Sequence, residues 1–312
     1  MDDLIKLMTI WFCELLWCLS NLIMKPRMLS YHRGFRREIR CGKLNEVDYQ
    51  QWKKHSFTIT SDFGYRIYCE RIEDKLQTEA EDSKQELPDN EVKKIAILSH
   101  GLGCARYSCI KYVKLYLRLG FTVVLFDHRN HGMSGRACTS MGYYERYDLK
   151  RVVDWCLYRY PGSKIITHGE SMGAATVLMH LGIDQRISCV IADSAYSDLT
   201  QLLRHQLKQF YHLPCKLIPA VSCLTYLRAG FRYREVSPIR AVRNTVTPIL
   251  FIHGKLDNLV PADMSREMYA AKRNNKAIFL VARARHVQSY CTKPKDYERV
   301  VEAFLKSYLD LS

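Results

Sequence analysis

The nonapeptide THGESMGAA, residues 167–175, constrains the fold more than any other stretch, because it sets a serine in the pattern G-x-S-x-G at a change of secondary structure. The preceding PGSKIIT is typical of a turn and a short buried strand, and the following AATVLMHLGI has the spacing of a buried helix. A strand that turns this sharply into a helix leaves no room for a Cβ at Gly169 or Gly173. The pattern therefore predicts a strained elbow that exposes the Ser171 hydroxyl.

A serine hydroxyl becomes a good nucleophile only when a base removes its proton and an acid orients that base. The chain supplies candidates in order, since Asp257 follows the apolar run TPILFIHG and His286 follows AIFLVARAR. Parallel strands end at one edge of a sheet, so we expect Ser171, Asp257 and His286 to meet there. Asp193, at another strand end, is a rival acid, and Asp257 in the turn-like KLDN has the alternative role of stabilising a turn.

An oxyanion hole is predicted beside the elbow. Met172 begins the helix after the serine, where a backbone N–H has no intrahelical acceptor. Upstream, KKIAILSHGLG (93–103) is a strand that runs into a glycine-rich turn, and this turn can aim the amide of Leu102 at the same point. Together the two N–H groups would stabilise a negative charge that develops on a substrate oxygen.

The order of these motifs, HGLG, GESMG, GKLDNLVP and a final histidine, resembles the α/β-hydrolase superfamily. The segment VVLFDHRNHGMSG (123–135) is similar to the D-x-R-x-x-G-x-S pattern of its serine aminopeptidase and prolyl-oligopeptidase-like branch, which includes single-domain bacterial lysophospholipases and cinnamoyl esterases. The resemblance extends over roughly residues 55–312. It implies an α/β fold with a mostly parallel central sheet flanked by helices, and a Ser-His-Asp triad that works through an acyl-enzyme.

Length and composition agree with one catalytic domain. A chain of 312 residues with 47% apolar content can bury a large core, and we place the α/β domain at residues 44–312. The twelve cysteines lack the paired spacing of a disulfide scaffold and several lie within apolar runs, which indicates a reducing compartment. No cluster has metal-ligand spacing, and no glycine motif for phosphate or dinucleotide binding occurs. The sequence therefore predicts neither a metal nor a cofactor.

Residues 1–43 form a separate segment that begins with an apolar helix. The run LMTIWFCELLWCLSNLIM (7–24) would extend about 27 Å as a helix, near the hydrocarbon thickness of about 30 Å. We favour a single membrane-spanning anchor. Two alternatives stay open, a helix that covers the core and a helix that lies in the membrane surface. In the second alternative one polar stripe faces water, namely Asp3, Glu14, Asn21 and Lys25.

A basic flank follows this helix, with seven Lys or Arg between residues 25 and 43. The positive-inside rule predicts that this flank and the enzyme domain after it are cytoplasmic, and the same charges suit an anionic membrane surface. Nucleic-acid binding is a rival explanation of the formal net charge of +15. No nucleic-acid module or basic–aromatic repeat supports it, so no nucleic-acid partner is predicted. No motif indicates a protein partner or an oligomeric state.

The composition of residues 198–236 indicates the class of substrate. They are apolar and basic, with helical spacing interrupted by prolines, and in the fold implied by the resemblance such an insertion forms a cap over the site. Packing against the sheet edge is the alternative. A cap of this composition suits an acyl chain with a polar or anionic head better than a peptide. The sequence predicts a membrane-associated serine hydrolase of carboxylic esters, with a serine peptidase or a non-catalytic membrane-bound binding module as alternatives.

Overall fold

The computed structural model describes residues 2–28, 30–73 and 92–309. Within these residues eight strands form one mixed sheet in the order β1-β2-β4-β3-β5-β6-β7-β8. The strands are β1 (Lys53–Thr60), β2 (Arg66–Glu73), β3 (Lys94–Ser99), β4 (Phe121–Phe126), β5 (Lys164–Glu170), β6 (Ile187–Asp193), β7 (Ile249–Gly254) and β8 (Lys276–Val281).

The sheet is parallel except at one edge. Strand β2 pairs antiparallel with β1 and with β4, and all pairs from β4 onward are parallel. The chain crosses from β3 outward to β4 and then returns to β5 on the other side of β3. Such a reversal opens a crevice at the carboxyl ends of the strands, and the HGLG turn after β3 and the elbow after β5 border it.

Helices cover both faces of the sheet and the crevice. Short 3₁₀ turns precede the fourth helix (Arg106–Tyr112) and follow the eighth (Tyr233–Glu235). The α-helices of the described residues are α1 (Asp2–Met24), α2 (Tyr31–Arg40), α3 (Glu46–Gln51), α4 (Val113–Arg118), α5 (Glu145–Arg159), α6 (Met172–His180), α7 (Leu199–Gln206), α8 (Leu217–Ala229), α9 (Pro238–Asn244), α10 (Ala262–Ala271), α11 (Ser289–Thr292) and α12 (Pro294–Lys306).

The alternation of side chains along the central strands divides the core into two layers. Ile97 of β3 packs with α5 and α6 on one face, whereas Leu98 packs with α4 and α12 on the other. Strand β4, FTVVLF, is buried at every residue, as expected for a strand covered on both faces. The prediction of an α/β-hydrolase fold with a mostly parallel sheet flanked by helices is confirmed in this form.

A third hydrophobic cluster lies over the crevice rather than against the sheet. It joins Leu19 and Ile23 of α1 to apolar side chains of α7 and α8, the first two α-helices between β6 and β7. Met172, next to the elbow serine, belongs to the same cluster. The carboxyl end of α1 therefore packs with the insertion above the crevice. Among the described helices, α1 alone is long and apolar enough to cross a membrane.

Candidate active site

The elbow places Ser171 between β5 and α6 in a backbone conformation that L-residues rarely adopt, with φ 55° and ψ −118°. The strand and the helix approach so closely that a Cβ at Gly169 would overlap the carbonyl of Gly173. The helix also lies against the end of the neighbouring strand β3, where a Cβ at Gly173 would overlap the carbonyl of Ser99. The backbone N–H of Ser171 donates to the carbonyl of Asp193 at 2.9 Å. Neighbouring backbone therefore maintains the strained conformation and presents the hydroxyl to the crevice.

The structure brings the three residues predicted for the triad together at the carboxyl edge of the sheet. Ser171 Oγ lies 2.8 Å from His286 Nε2, and His286 Nδ1 lies 2.7 Å from Asp257 Oδ2. With Nδ1 donating to the carboxylate, Nε2 is free to accept the serine proton. The Asp257 carboxylate is fully buried, while the imidazole of His286 is 20% exposed. This is the hydrogen-bonded order that serine nucleophiles require.

The carboxylate of Asp257 is held on both oxygens. Oδ1 accepts hydrogen bonds from the N–H groups of Leu259 and Val260 at 3.0 and 2.9 Å, and His253 Nε2 lies 3.2 Å from Oδ2. Burial alone would raise the pKa of Asp257, but the hydrogen bonds from His253 and His286 outweigh it and lower the pKa to about 2. Asp257 is therefore ionised at neutral pH. Sequence reasoning missed His253, because a histidine inside an apolar strand has no distinguishing signal.

The rival acid, Asp193, is directed elsewhere. Its carboxylate accepts from the hydroxyls of Ser194 at 2.9 Å and Tyr297 at 3.1 Å, and burial raises its pKa. Ser194 Oγ in turn accepts from the backbone N–H of Val287 at 3.2 Å, the residue after the candidate base. Val287 has φ 54°, which is strained for a β-branched residue. The Asp193–Ser194 pair thus helps to position the loop that carries His286.

The predicted oxyanion donors lie on two fixed backbone turns. Met172 is the first residue of α6. The carbonyl of Gly101 accepts from His100 Nδ1 at 2.8 Å, and because this carbonyl shares a planar peptide unit with the N–H of Leu102, that contact orients the donor. On the other side, the N–H of Gly103 donates to His131 Nε2 at 3.2 Å. Burial lowers the pKa of both histidines to about 4, so both are neutral at pH 7.

Ser171 opens into a cavity of about 560 Å³. Part of its wall is charged, since Lys111 and Glu170 form a buried ion pair at 2.7 Å and Arg37, Glu38 and Lys43 join the lining. The remaining wall is mostly apolar and comes from α1, from α7 and α8 with their connection, and from the loop after β7. The apolar lining includes Leu19, Leu22, Ile23, Leu202, Leu203, Leu207, Tyr211, Ile218, Val221, Leu259 and Val260.

The part of this lining that comes from α1 was not predicted from the sequence, where the helix is an anchor separate from the enzyme domain. Within residues 2–28, 30–73 and 92–309, no group of three or more His, Cys, Asp or Glu is arranged to hold a metal ion. The arrangement is suited to nucleophilic attack by Ser171 on an acyl group that occupies the cavity.

Comparisons with known proteins agree with this geometry. A family model described as alpha/beta hydrolase fold matches residues 97–215, and one described as Serine hydrolase (FSH1) matches residues 189–287. The Bacillus subtilis protein YqkD is 32% identical over 295 residues, which cover 93% of this chain and 92% of YqkD. The structure of the Pyrococcus furiosus esterase Pf2001 is similar with a TM-score of 0.67 and 25% identity, over 92% of this chain and 98% of that chain.

A second solved structure shows the fold alone. The esterase domain of a Rhodothermus marinus protein has a TM-score of 0.56 and 19% identity, over 82% of this chain and 99% of that chain. The predicted enzyme class, a serine hydrolase, is confirmed by the family models and the esterase neighbour.

Proposed function

The chain belongs to the α/β-hydrolase superfamily and is a serine hydrolase, and from this we propose that it cleaves carboxylic esters with lipid-derived acyl chains through an acyl-enzyme. The single observation that carries the proposal is the hydrogen-bonded series Ser171–His286–Asp257, whose hydroxyl opens into a largely apolar cavity. An esterase among the similar structures, Pf2001, supports ester substrates.

The proposed reaction uses the atoms as they stand. His286 Nε2 takes the proton of Ser171 as Oγ attacks the ester carbonyl, and Asp257 stabilises the imidazolium that forms. The N–H groups of Leu102 and Met172 stabilise the oxyanion. The imidazolium then gives its proton to the departing alcohol, which leaves an acyl-enzyme. Water, activated by the same imidazole, attacks this intermediate and releases the acid.

The cavity supports an amphipathic substrate. Its apolar wall suits an acyl chain, while its charged wall has three cations, Arg37, Lys43 and Lys111, against two carboxylates, Glu38 and Glu170. Lys111 is paired with Glu170, and Lys43 lies 3.8 Å from Glu38, so Arg37 is the cation in excess and favours a polar or anionic group on the alcohol side of the ester.

The remaining features of the proposal concern branch and location. We place the chain in the serine aminopeptidase-like branch, because Asp127 and Ser134 of its D-x-R-x-x-G-x-S pattern brace one loop, where Ser134 Oγ donates to the Asp127 carbonyl at 2.6 Å.

We assign residues 1–43 to membrane attachment, residues 44–312 to a cytoplasmic hydrolase domain and residues 198–236 to its cap. The twelve free thiols support a reducing compartment.

A fluorophosphonate probe tests the nucleophile without knowledge of the substrate. Wild-type protein should be labelled and Ser171→Ala should not, whereas Ser237→Ala, at a buried serine outside the cavity, should be labelled as wild type. Equal labelling of Ser171→Ala and wild type would show that the elbow serine is not the nucleophile.

A chain-length series tests the substrate class. Turnover of p-nitrophenyl esters should rise from acetyl to medium-chain acyl groups, because each buried CH₂ contributes about 0.8 kcal/mol, or about fourfold, until the cavity is full. Aminoacyl anilides measured beside them distinguish a peptidase. A flat ester profile with efficient anilide cleavage would replace the lipid-ester proposal by the peptidase.

A further inference from the structure

The two parts of α1 have different surroundings. At the carboxyl end Leu19, Ser20, Ile23 and Met24 are buried. Toward the amino end the large apolar side chains are between 48% and 74% exposed, namely Leu7, Met8, Ile10, Trp11 and Phe12. We call Leu7–Trp17 the outer part and Cys18–Met24 the inner part of the helix. The outer part is apolar on most of its surface and projects from the protein.

The inner part is fixed to the cap by polar contacts as well as packing. Ser20 Oγ lies 3.1 Å from Thr225 Oγ1, and Arg228 Nη2 donates to Asn21 Oδ1 at 2.7 Å. The Arg228 guanidinium also lies 3.6 Å from the centre of the Trp17 ring. These contacts leave two regions of α1 available to lipid, the exposed side chain of Leu22 and the outer part. The 11 residues of the outer part extend about 16 Å, roughly half of the hydrocarbon thickness of about 30 Å.

The same helix reaches the mouth of the cavity. Leu22, Tyr211 and Leu259 line the cavity and are 51%, 51% and 42% exposed, so they mark where it opens to the surroundings. Met8, Trp11 and Leu22 lie within about 60° of one another around α1, because at about 100° per residue a spacing of eleven residues is about 20° and one of three residues about 60° from full turns. One apolar stripe thus runs from the free end of the helix to the opening of the site.

The charge beside this stripe indicates the kind of surface that it meets. Helix α2 turns its aromatic side chains inward, where the Tyr31 ring lies 5.4 Å from that of Tyr107, and keeps its arginines in solvent. Six exposed cations follow α1 within sixteen residues, namely Lys25, Arg27, Arg33, Arg36, Arg37 and Arg40. The one carboxylate of α2, on Glu38, is buried. Exposed apolar surface beside such a cluster is complementary to an anionic lipid surface.

We propose that the outer part of α1 and the mouth of the cavity lie in one leaflet of an anionic membrane, and that the ester enters the site laterally from that leaflet. The inference rests on the proposed function and defines how its substrate arrives. At about 100° per residue Asp3 and Glu14 lie roughly 60 to 80° to one side of Trp11, and Met8 lies roughly 60° to the other, so the two carboxylates border the stripe at its water side, as in an interfacial helix. The helix is then an anchor in one leaflet and, at its inner part, a wall of the site.

Substitutions on two faces of the helix test the membrane contact. Full-length protein is floated with phosphatidylcholine vesicles, with and without phosphatidylglycerol. Wild type should float with the anionic vesicles, and Met8→Glu with Trp11→Glu should lower the bound fraction about tenfold. Ile10→Glu adds one carboxylate and is the matched control for Trp11→Glu alone, because Ile10 is 55% exposed on the stripe of Asp3 and Glu14 and should change flotation little. Equal losses from both faces, or no loss from either, would overturn the interfacial arrangement.

Turnover separates lateral entry from simple attachment. The Met8→Glu with Trp11→Glu variant should cleave a long-chain ester embedded in vesicles about tenfold more slowly than wild type, while its turnover of a soluble short-chain ester stays unchanged. Equal turnover of the embedded ester would refute lateral entry. An inactive wild type would instead refute the proposed function, and flotation would still report on the membrane contact.

Topology and self-association complete the test. A membrane-impermeant succinimidyl ester added outside sealed vesicles should acylate Lys6 of bound protein, as read from peptide mass. Labelling only after the vesicles are lysed would show a spanning helix and overturn the proposal.

Light scattering that shows a stable dimer, dissociated by Met8→Glu with Trp11→Glu, would assign the outer part to a second copy of the chain instead.

Discussion

Replacing Asp257 by Asn should reverse the tautomer of the candidate base. Oδ1 of the native carboxylate accepts two backbone N–H groups, from Leu259 and Val260. An asparagine must therefore turn its carbonyl toward these donors and its NH₂ toward His286. The NH₂ group can only donate, so Nδ1 of His286 becomes the acceptor and Nε2 carries the proton. In that tautomer Nε2 donates to Ser171 Oγ and can no longer take the serine proton.

The expected loss in kcat for Asp257→Asn is about 10⁴-fold, the scale of the same change in the serine protease template, and it corresponds to about 5 kcal/mol of transition-state stabilisation. The assay is steady-state hydrolysis of a soluble p-nitrophenyl ester by full-length protein, with KM measured alongside. KM should change little, because the acyl group binds against the cavity wall and not against Asp257.

Asp193→Asn is the matched control for this experiment. It is a carboxylate at the neighbouring strand end, but its partners are Ser194 and Tyr297 and it reaches His286 only through Ser194 and the Val287 amide. Its kcat should fall far less than that of Asp257→Asn. If Asp193→Asn loses the larger factor and Asp257→Asn stays within about tenfold of wild type, the acid assignment is refuted.

Three further outcomes follow from the same contacts. Lys111→Met leaves the buried carboxylate of Glu170 without its ion-pair partner and should lower the free energy of unfolding, measured by chemical denaturation, by about 3 to 5 kcal/mol. Lys111→Met with Glu170→Gln should lower it less. Ser194→Ala removes the acceptor of the Val287 N–H and should lower kcat about tenfold, with little change in KM or melting temperature. A fall in melting temperature large enough to account for the loss of activity would contradict a positioning role. The folded-state pKa of Asp257 is about 2, below its unfolded value of about 4, so its ionised form adds about 2 to 3 kcal/mol to the unfolding free energy above pH 4, and this contribution is lost toward pH 2. The difference in unfolding free energy between wild type and Asp257→Asn should shrink as the pH falls through that window, and a constant difference would argue against the lowered pKa.

The parts of the site that depend on local chemistry could be predicted from the sequence. Gly169 is required by a close approach of strand and helix within the pentapeptide itself, whereas Gly173 is required by the approach of the helix to the end of the neighbouring strand β3 at Ser99. The juxtaposition of His286 with a serine 115 residues away also follows, because carboxyl ends of parallel strands share an edge whatever the separation along the chain. These inferences rest on geometry common to all parallel sheets.

The contacts that support the triad residues leave no comparable signal in the sequence. His253 stands in a buried strand, where a histidine that stabilises a carboxylate has the same appearance in sequence as one that fills the core. The hydroxyl of Ser194 accepts a hydrogen bond from a backbone N–H, and because every residue but proline carries that donor, the sequence does not indicate which one is used. Such contacts depend on the relative placement of loops, which hydropathy and spacing do not encode.

Helix α1 shows most clearly that hydropathy does not predict the surroundings of a helix, because an apolar side chain is equally compatible with lipid and with protein. By spacing, Asn21 belongs with Asp3 and Glu14 to a stripe that faces water. In the folded chain its amide accepts a hydrogen bond from Arg228, 207 residues away, and so joins the inner part of the helix to the cap. If α1 meets a membrane as proposed, the length of helix available to it is therefore set by the packing against α8 and not by the apolar run itself. Any change that loosens this contact should lengthen the free helix and open the cavity wall together, which makes membrane depth and substrate access properties of one packing interface.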